Sequence, residues 1–361
     1  MEKYRVGIVG ATGMVGQRFI SLLKDHPWFE VNCVAASARS AGKTYREAVG
    51  ERWAFSWEIP EKVAGMTVVD AADIDEVSKH VDFVFCAVDM KKDEIRALEE
   101  AYAKHEIPVV SNNSACRGIE DVPMVVPEIN ADHLAVIEAQ KKRLGTKNGF
   151  IAVKPNCSIQ SYVPALTPLL DFEPEKVSVC TYQAISGAGK TFKTWPEMVD
   201  NVIPYIGGED EKSENEPLKL WGHVEDGKIV NAVLPVISAQ CLRVACSDGH
   251  MAAVSVSFKK KPTIEQIKER WANYETEAQR LELPSAPKPF LQYFEDPSRP
   301  QTRLDRDFQN GFGVSIGRLR EDKLFDYRFV CLSHNTVRGA AGGGILTAEL
   351  LCRKGYIPHR V

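Results

Sequence analysis

Gly10-Ala11-Thr12-Gly13-Met14-Val15-Gly16 follows a short β-type run from Tyr4 to Val9 and precedes a helical pattern that extends through Leu23. A strand, a glycine turn and a helix in this order are typical of a dinucleotide-binding unit. The glycines allow a tight turn, close approach of the backbone to a pyrophosphate and close helix packing, with the phosphate held at the helix N-terminus. The spacing G-x-x-G-x-x-G departs from the commoner G-x-G-x-x-G, so plain turn chemistry is the alternative. Because the motif directly follows a strand, we interpret it as a dinucleotide-binding site.

The end of the second predicted strand indicates which dinucleotide is bound. The run from Val31 to Ala36 continues into Ser37-Ala38-Arg39-Ser40-Ala41-Gly42-Lys43, where an NAD-preferring site usually carries an acidic residue for the ribose hydroxyl. No Asp or Glu lies in this stretch. The hydroxyls of Ser37 and Ser40 and the guanidinium of Arg39 suit a 2′-phosphate, because guanidinium pairs with phosphate through charge-assisted hydrogen bonds. We therefore predict NADP as the cofactor, and a solvated basic loop is the alternative.

Length and composition predict a two-domain enzyme. The chain has 361 residues, a length that exceeds what one hydrophobic core normally covers. Apolar residues make up 44% of the chain, which is ample for burial. The net charge is −4 with both signs interspersed, so the sequence does not predict a basic surface for nucleic acid. The apolar runs are too short for a membrane span. The first residues form a predicted strand, not a signal sequence. Nine cysteines without a CxxC pair favour reduced thiols in the cytoplasm and argue against zinc, so we expect no metal.

The order of the predicted elements indicates two kinds of sheet. Up to about residue 150 strands and helices alternate, as in Asp82 to Val88, the charged helix from Lys91 to Lys104, and Ile107 to Ser111, which predicts a Rossmann-type, doubly wound parallel sheet. Longer, more strictly alternating strands follow and predict an α+β domain with a mixed antiparallel sheet. These strands are Val177 to Ala184, Val233 to Cys246, Met251 to Phe258, Gly313 to Arg320 and Phe325 to Leu332.

The remaining segments complete the predicted α/β organisation. Glu265 to Leu281 is predicted as one amphipathic helix, and the proline-rich stretch from Pro284 to Pro300 as a loop. The glycine-rich run from Asn335 to Gly344 precedes a predicted helix from Ile345 to Lys354 that returns to the first domain. We therefore expect an NADP-binding domain over residues 1–153, a catalytic and dimerisation domain over 154–334, and a returning C-terminal helix over 335–361.

Cys157, in Pro155-Asn156-Cys157-Ser158, is the candidate nucleophile. The apolar run from Phe150 to Val153 leads in, Lys154 and Pro155 break the strand, and the stretch from Ser158 to Leu170 is predicted as a helix. A thiol at such a junction faces unpaired amide groups and the positive end of a helix dipole, which lowers the pKa of a cysteine. The alternative is that Cys157 is a small buried hydrophobic residue.

Together these motifs resemble the aspartate-β-semialdehyde dehydrogenases, nearer the archaeal and fungal branch than the common bacterial one. The resemblance covers nearly the whole chain. It implies NADPH-dependent reduction of aspartyl phosphate to aspartate semialdehyde with release of phosphate, on the route to lysine, methionine and threonine. It also implies a homo-oligomer, either a dimer or a tetramer. The blocks that carry the resemblance are residues 10–16, Ser111-Asn112-Asn113-Ser114, residues 155–158, Gln183-Ala184-Ile185-Ser186-Gly187-Ala188-Gly189, Leu242-Arg243-Val244, Gly249-His250 and Asn335-Thr336-Val337-Arg338-Gly339-Ala340-Ala341-Gly342.

The resemblance implies a role for each candidate site residue. Cys157 would attack the substrate carbonyl and form a thioester, and His250 would be the general acid and base. Gln183 would orient the acyl group, and Arg243 would grip the substrate α-carboxylate. The implied binding residues are Glu209 for the ammonium group, Lys212 and Arg117 for phosphate, Asn156 beside the nucleophile, and Gly10, Thr12, Gly13, Met14, Val15, Ser37, Arg39, Ser40, Ser186, Gly187, Gly189 and Asn335 for the cofactor.

The sequence leaves several alternatives open. The charge run that contains Glu209 and Lys212 could be solvated surface. Ser247-Asp248-Gly249 is predicted as a hairpin loop, and simple pairing across it places Arg243 and His250 on opposite faces, whereas the resemblance needs both in one pocket. Malonyl-CoA reductase and N-acetylglutamyl-phosphate reductase share the fold, the thiol and the histidine. A non-catalytic NADPH-binding regulator is the alternative from a different class.

Overall fold

Two large β-sheets organise the chain. The computed structural model describes residues 2–359. The first sheet has six strands, all parallel, in the order β3-β2-β1-β4-β5-β6, which is the strand order of doubly wound dinucleotide-binding sheets. Its strands are β1 (Tyr4–Val9), β2 (Phe29–Ala36), β3 (Val69–Asp70), β4 (Phe83–Cys86), β5 (Val109–Ser111) and β6 (Ile151–Val153). The predicted parallel sheet is confirmed.

Helices connect these strands and cover both faces, because strands buried on both sides need apolar partners on each face. Helix α1 begins at Met14, directly after the glycine motif, and its Phe19 ring stacks on the Phe85 ring of β4 with 4.3 Å between centroids. The predicted helix from Lys91 to Lys104 is confirmed as α5. The helices of this part are α1 (Met14–Leu23), α2 (Tyr45–Val49), α3 (Glu61–Ala64), α4 (Ile74–Ser78), α5 (Lys92–Lys104) and α6 (Ile137–Leu144).

The second sheet has seven strands in the order β13-β14-β15-β12-β7-β11-β8 and is mixed, because the pairs β7–β11 and β13–β14 are parallel and the others antiparallel. The five strands predicted here are confirmed with small shifts of their ends. The strands after residue 170 are β7 (Pro174–Gln183), β8 (Val202–Ile203), β9 (His223–Glu225), β10 (Lys228–Val230), β11 (Val236–Val244), β12 (His250–Phe258), β13 (Leu291–Phe294), β14 (Val314–Glu321) and β15 (Tyr327–Ser333), with β9 and β10 forming a separate hairpin.

The two faces of the second sheet differ. Alternate residues of β12 are buried, beginning with His250, and those between them are partly exposed. On the open face Tyr182 and Val236 stay exposed on neighbouring strands. An open face with apolar side chains is typical of a surface that meets another protein.

Two predictions about the second part are wrong in detail. The stretch from Pro284 to Pro300 contains β13, which pairs with β14, so it is not only loop. The single helix expected over 265–281 is two helices, because Thr276 forms a capping box with Gln279 and starts a new helix there. The helices of this part are α7 (Tyr162–Leu166), α8 (Glu209–Leu220), α9 (Ile264–Ala272), α10 (Glu277–Arg280), α11 (Thr302–Asp305) and α12 (Gly342–Arg353).

The helix expected from Ser158 to Leu170 is also interrupted. It consists of a 3₁₀ turn over Ser158–Gln160, helix α7, and a second 3₁₀ segment over Thr167–Phe172. Pro164 and Pro168 each lack the N–H that a continuous α-helix would use, which is a physical reason for the break.

The C-terminal segment packs against the first sheet. A π-helical turn over Val337–Ala341 leads into α12, which begins at Gly342, three residues before the predicted start at Ile345. Ile345 and Leu346 share a buried cluster with Phe19 of α1. No helix within residues 2–359 is long and apolar enough to cross a membrane.

Candidate active site

The candidate nucleophile lies in the loop after β6, at the carboxyl end of the edge strand of the first sheet. Helix α8 of the second domain holds this loop through Asn156. The Asn156 backbone N–H donates to Glu216 Oε2 at 2.6 Å, and its side-chain Nδ2 donates to Glu209 Oε1 at 2.9 Å. Asn156 Oδ1 accepts from the N–H of Ser158 at 2.7 Å. Both polar atoms of the Asn156 side chain therefore form hydrogen bonds within the protein, one to α8 and one to the residue after Cys157.

Cys157 and His250 form a close pair. The Sγ atom lies 3.5 Å from His250 Nε2, and the N–H of Ala184 donates to His250 Nδ1 at 3.1 Å. Because Nδ1 is an acceptor, a neutral ring carries its proton on Nε2, facing the sulfur. Burial, and next the Arg243 guanidinium, hold the pKa of His250 well below its ordinary value. His250 is therefore a neutral imidazole that points its Nε2–H at the Cys157 sulfur.

The predicted lowering of the Cys157 pKa is wrong for this structure. Burial is the largest effect and raises the pKa of the thiol, and the Glu209 carboxylate raises it further, whereas Lys154 and Arg243 oppose the rise. The helix that begins after Cys157 is only a three-residue 3₁₀ turn, which offers little dipole to stabilise a thiolate.

Gln183, Arg243 and His250 lie side by side at the ends of three strands. Strand β7 separates β11 from β12, so the predicted hairpin across residues 247–249 is wrong. Arg243 is the register partner of Gln183, and Met251 pairs with Tyr182, which places His250 next to Gln183. All three side chains are buried on one face of the sheet. The conflict between the hairpin prediction and a shared pocket therefore disappears.

Two glycines allow the close approach of segments around the pair. A Cβ on Gly187 would lie 2.8 Å from Arg243 Nη1 and 3.0 Å from His250 Nε2. A Cβ on Gly339, in the π-helical turn, would lie 2.9 Å from the Cβ of Cys157. Gly339 was not among the predicted site residues, although it lies in one of the quoted motifs.

Glu209, in the charged run at the start of α8, is not part of a solvated surface. Glu209 is buried; its Oε1 accepts from Lys212 Nζ at 2.8 Å, and its Oε2 accepts from Gln183 Nε2 at 3.3 Å. Glu209 therefore joins the row of site residues directly, and Lys212 pairs with it.

Arg117, predicted to bind phosphate, is held by two acceptors. Its Nη1 donates to Glu216 Oε1 at 2.9 Å and its Nη2 to the Asn112 carbonyl at 3.0 Å. Its Nε is buried and has no hydrogen-bond partner among residues 2–359. A buried donor without an acceptor costs free energy, so this edge of the guanidinium suits an anionic ligand.

Lys154 is a site residue that sequence reasoning missed. The prediction treated it only as the residue that breaks the strand, but its side chain is buried and its Nζ donates to the Pro155 carbonyl. Burial, with a smaller effect from Arg117, lowers the pKa of Lys154 to about 7. A lone lysine at a strand end carries no sequence signal of this burial.

The glycine motif has the geometry that a dinucleotide needs. Gly10 has φ +90°, and a Cβ there would lie 2.3 Å from the Ala87 carbonyl oxygen. A Cβ on Gly16 would lie 2.3 Å from the Gly10 carbonyl oxygen. Gly13 is the N-cap of α1 and provides no side-chain cap, so amide groups of the first turn, around Met14 and Val15, remain available for a phosphate.

The other predicted cofactor residues fall in two places. Ser37 and Arg39 are exposed after β2, and Ser40 is buried beside them. Three strands lie between β2, which precedes this segment, and β6, which precedes the Cys157 loop. The axes of β2 and β6 are therefore about 19 Å apart at the usual strand spacing. Near the thiol, Asn335 donates through Nδ2 to Ser186 Oγ at 2.8 Å and accepts from the Gly249 N–H at 2.8 Å, so it links the segment that contains Gly187 and Gly189 to the residue before His250.

Comparisons with known proteins agree with this architecture. The family model described as semialdehyde dehydrogenase, NAD binding domain, matches residues 5–137, and the one described as semialdehyde dehydrogenase, dimerisation domain, matches residues 166–338. Aspartate-semialdehyde dehydrogenase from Schizosaccharomyces pombe is 45% identical over 98% of this chain and 99% of its own. The protein of the same description from Archaeoglobus fulgidus is 43% identical over 98% of this chain and all of its own.

A solved structure gives the same result. The aspartate semialdehyde dehydrogenase of Candida albicans, determined with NADP, matches with a TM-score of 0.89 and 39% identity over 99% of this chain and 100% of that one. A dinucleotide-binding sheet joined to a domain that brings a histidine to a cysteine defines a nicotinamide-dependent dehydrogenase with a thiol at its centre. The chain belongs to the aspartate-semialdehyde dehydrogenase family, and the resemblance noted from the sequence is confirmed.

Proposed function

We propose that this chain catalyses the NADPH-dependent reduction of L-4-aspartyl phosphate to L-aspartate 4-semialdehyde, with release of phosphate. The observation that carries the proposal is the pair of Cys157 Sγ and His250 Nε2 at 3.5 Å, flanked by Gln183 and Arg243 in one row. The family membership supports the same reaction in the biosynthesis of lysine, methionine and threonine.

The covalent steps follow from the thiol. The Cys157 sulfur attacks the carbonyl carbon of the acyl phosphate, a C–S bond forms, the bond from carbon to the phosphate oxygen breaks, and the thiol proton leaves with the phosphate as hydrogen phosphate. The thioester holds the acyl group at the site while phosphate leaves. NADPH, when bound, supplies the hydride that reduces this thioester, and expulsion of the sulfur then releases the aldehyde.

His250 serves these steps as a hydrogen-bond donor at Nε2. Its N–H faces the sulfur, where it stabilises the negative charge on the thiolate or on the acyl oxygen next to it. The low pKa of His250 keeps the ring neutral, so the Nε2 proton stays on the ring and is donated as a hydrogen bond both while the thioester forms and when the sulfur departs as a thiolate.

The charges around the thiol fit a substrate with three charged groups. Arg243 is a buried fork for the α-carboxylate, and Glu209 is a buried carboxylate for the ammonium group. Arg117, with its free Nε, and Lys212 are the cations for phosphate. Gln183 would orient the acyl group, and Asn156 holds the nucleophile loop between them.

For the cofactor, the glycine turn and the first turn of α1 would hold the pyrophosphate through Gly10, Thr12 and Gly13. Ser37 and Arg39 would contact the 2′-phosphate of NADP, which is the cofactor named for the Candida albicans structure. We propose that residues 1–153 form the NADP-binding domain and residues 154–334 the catalytic and dimerisation domain. Residues 335–361 carry the C-terminal helix that returns to the first domain.

Assembly and compartment complete the proposal. The match to a dimerisation domain supports a homo-oligomer, and we propose a dimer or tetramer that buries the open face of the second sheet around Tyr182 and Val236. All nine cysteines are unpaired, which suits a reducing compartment, and we propose the cytoplasm.

The decisive test is phosphate-dependent reduction of NADP with aspartate semialdehyde as substrate. The proposal predicts that NADPH forms only when both semialdehyde and inorganic phosphate are present. Malonyl-CoA, assayed in the reductive direction, should be a poor substrate because it lacks the ammonium group for which Glu209 is buried, and N-acetylglutamyl phosphate lacks it too. Reduction of either with higher efficiency than aspartyl phosphate would contradict the proposal.

A further inference from the structure

One face of helix α8 reaches two separate loops of the active site. Glu209, Lys212, Glu216 and Lys219 are spaced at i, i+3, i+7 and i+10, so they lie along the same side of the helix. The first two are the residues proposed above for the substrate. Glu216 and Lys219 have no role in that proposal.

Glu216 joins the two loops through its two carboxylate oxygens. Oε1 accepts from Arg117 Nη1 at 2.9 Å, and Oε2 accepts from the Asn156 N–H at 2.6 Å. Arg117 lies in the loop after β5 and Asn156 in the loop after β6, and these strands are neighbours in the first sheet. The side chains of Glu216 and Arg117 are each only 11% exposed, so water screens their ion pair weakly.

Lys219 holds the backbone of the same loop. Its Nζ donates to the carbonyl oxygens of Arg117 and Ile119 at 2.7 Å each and of Val122 at 3.0 Å. An ammonium group has three donors, and all three are used here. The backbone of the Arg117 loop is therefore tied to α8 independently of the Arg117 side chain.

These contacts determine which edge of the Arg117 guanidinium is left for a ligand. Glu216 takes Nη1 and the Asn112 carbonyl takes Nη2, whereas the buried Nε has no partner among residues 2–359. A guanidinium restrained in this way loses less rotamer freedom when it binds an anion. The same carboxylate also restrains the residue next to the nucleophile.

We propose that Glu216 is a positioning residue of the phosphate subsite, which holds Arg117 in place relative to Cys157. This inference rests on the proposed function, because it takes the anion at Arg117 to be the phosphate of the substrate. Glu216 acts through Arg117 and not by direct contact with phosphate, because the Glu216 carboxylate and the phosphate are both anions and repel each other.

The test compares Glu216→Gln with Glu214→Gln. Glu214 lies on the same helix and accepts from the Ala239 N–H at 3.0 Å, away from both loops, so it controls for loss of a carboxylate that accepts a backbone hydrogen bond. Glutamine keeps the size of the side chain but only one acceptor oxygen. In the oxidative direction we expect KM for phosphate to rise about tenfold in Glu216→Gln, equivalent to one charge-assisted hydrogen bond, and to stay within about twofold in Glu214→Gln.

A merely structural role predicts a different result. It would lower thermal stability in both variants and leave the KM for phosphate of Glu216→Gln at the wild-type value, which would overturn the inference. In an Arg117→Ala background the Glu216→Gln substitution should add less than about twofold to KM, because the residue through which it acts is absent. A full tenfold effect in that background would also overturn the inference.

A second measurement does not depend on turnover. Inorganic phosphate should protect Cys157 from alkylation by iodoacetamide, and the concentration that gives half protection should rise about tenfold in Glu216→Gln but not in Glu214→Gln. If Glu216→Gln fails to fold, Glu216→Asp keeps the charge on a shorter stem and should show a smaller rise in the same direction. If the wild type shows protection by phosphate but no phosphate-dependent reduction of NADP, the proposed function fails while the positioning role of Glu216 is still decided. Equal protection in the wild type and the Glu216 variant contradicts the inference.

Discussion

Arg243 and Gln183 are register partners on the parallel strands β11 and β7, and His250 begins the strand on the other side of β7. Side chains at the same level on neighbouring strands point to the same face, so the three groups form one row on the face where His250 meets Cys157. Groups on strands are held more precisely than groups on loops, which suits a site where the carboxylate and the reacting carbon must be fixed together.

Cys157→Ala should abolish turnover, because among residues 2–359 no other thiol forms a hydrogen bond with His250. The fold and the binding of NADPH should persist, since the substitution removes one sulfur atom at the wall of a site. Steady-state assays and titration of NADPH fluorescence measure the two properties. Cys352→Ala is the matched control and should affect packing only. Substantial activity in Cys157→Ala would exclude the thioester route.

Arg243→Lys and His250→Asn should separate substrate binding from the chemistry at the thiol. Lysine keeps the charge but loses the two-pronged geometry, so KM for aspartate semialdehyde should rise about tenfold or more while kcat changes less. Asparagine is shorter and does not bring an N–H to the sulfur, so the thiolate loses its hydrogen-bond donor and kcat should fall on the order of a hundredfold or more. The same pattern in both constants for both variants would show that the roles are assigned wrongly.

Arg39→Ala should reduce the preference for NADP over NAD by about tenfold to a hundredfold, the equivalent of roughly 1.5 to 3 kcal/mol for a charge-assisted hydrogen bond. Efficiency with NAD should barely change, because NAD has no 2′-phosphate. The measurement is the ratio of kcat/KM values with the two cofactors. A wild type that prefers NAD, or a ratio that the substitution leaves unchanged, would refute the role of Arg39.

Gly187→Ala should lower kcat/KM by about tenfold or more, with a moderate loss of stability. The added Cβ would lie 2.8 Å from Arg243 Nη1 and 3.0 Å from His250 Nε2, so both groups must move from their positions. Because the added Cβ lies against two buried side chains, the free energy of unfolding should fall by about 1 to 3 kcal/mol, as at other overpacked positions. Gly65→Ala, where an added Cβ meets nothing within 4 Å, is the control. Unchanged kinetics in Gly187→Ala would argue against this close packing.

Lys154→Met should raise stability most at low pH. Burial lowers the pKa of Lys154 to about 7, so in the wild type the unfolded chain binds more protons than the folded one between about pH 7 and 10.5. The resulting cost is complete below about pH 7 and disappears as the pH rises toward 10.5. Thermal unfolding should therefore show a gain on the order of a few kcal/mol at pH 6 that shrinks by pH 9.5.

The same substitution provides a kinetic check. Lys154 favours the charged form of Cys157, so its loss should raise the pKa of the thiol and slow alkylation of Cys157 at pH 7. An alkylation rate equal to that of the wild type would mean that the ammonium group does not act on the thiol. A gain in stability that does not depend on pH would mean that Lys154 titrates normally.

The local order of the chain was sufficient for the first half of the fold. A strand, a glycine turn and a helix were predicted at residues 4–23, and β1 and α1 occupy those positions because the signals are contained within about twenty neighbouring residues. The helix over residues 92–104 and the longer strands after residue 170 were predicted for the same reason. The position of Cys157 between a strand and a predicted helix identifies it as the candidate nucleophile, and the order of the motifs identifies the family.

Tertiary structure alone decided how these pieces meet. Strand β7 lies between β11 and β12, although β11 and β12 are the ones adjacent in sequence, and no local pattern specifies which strand takes the middle place. The pKa of Cys157 follows from burial by segments far along the chain, not from the dipole of the short helix next to it. The burial of Lys154, the pairing of Glu216 with two loops and the approach of Gly339 to Cys157 are likewise contacts between distant segments. Sequence periodicity reports which face of an element is apolar, but the partner of that face is chosen by packing across the whole molecule.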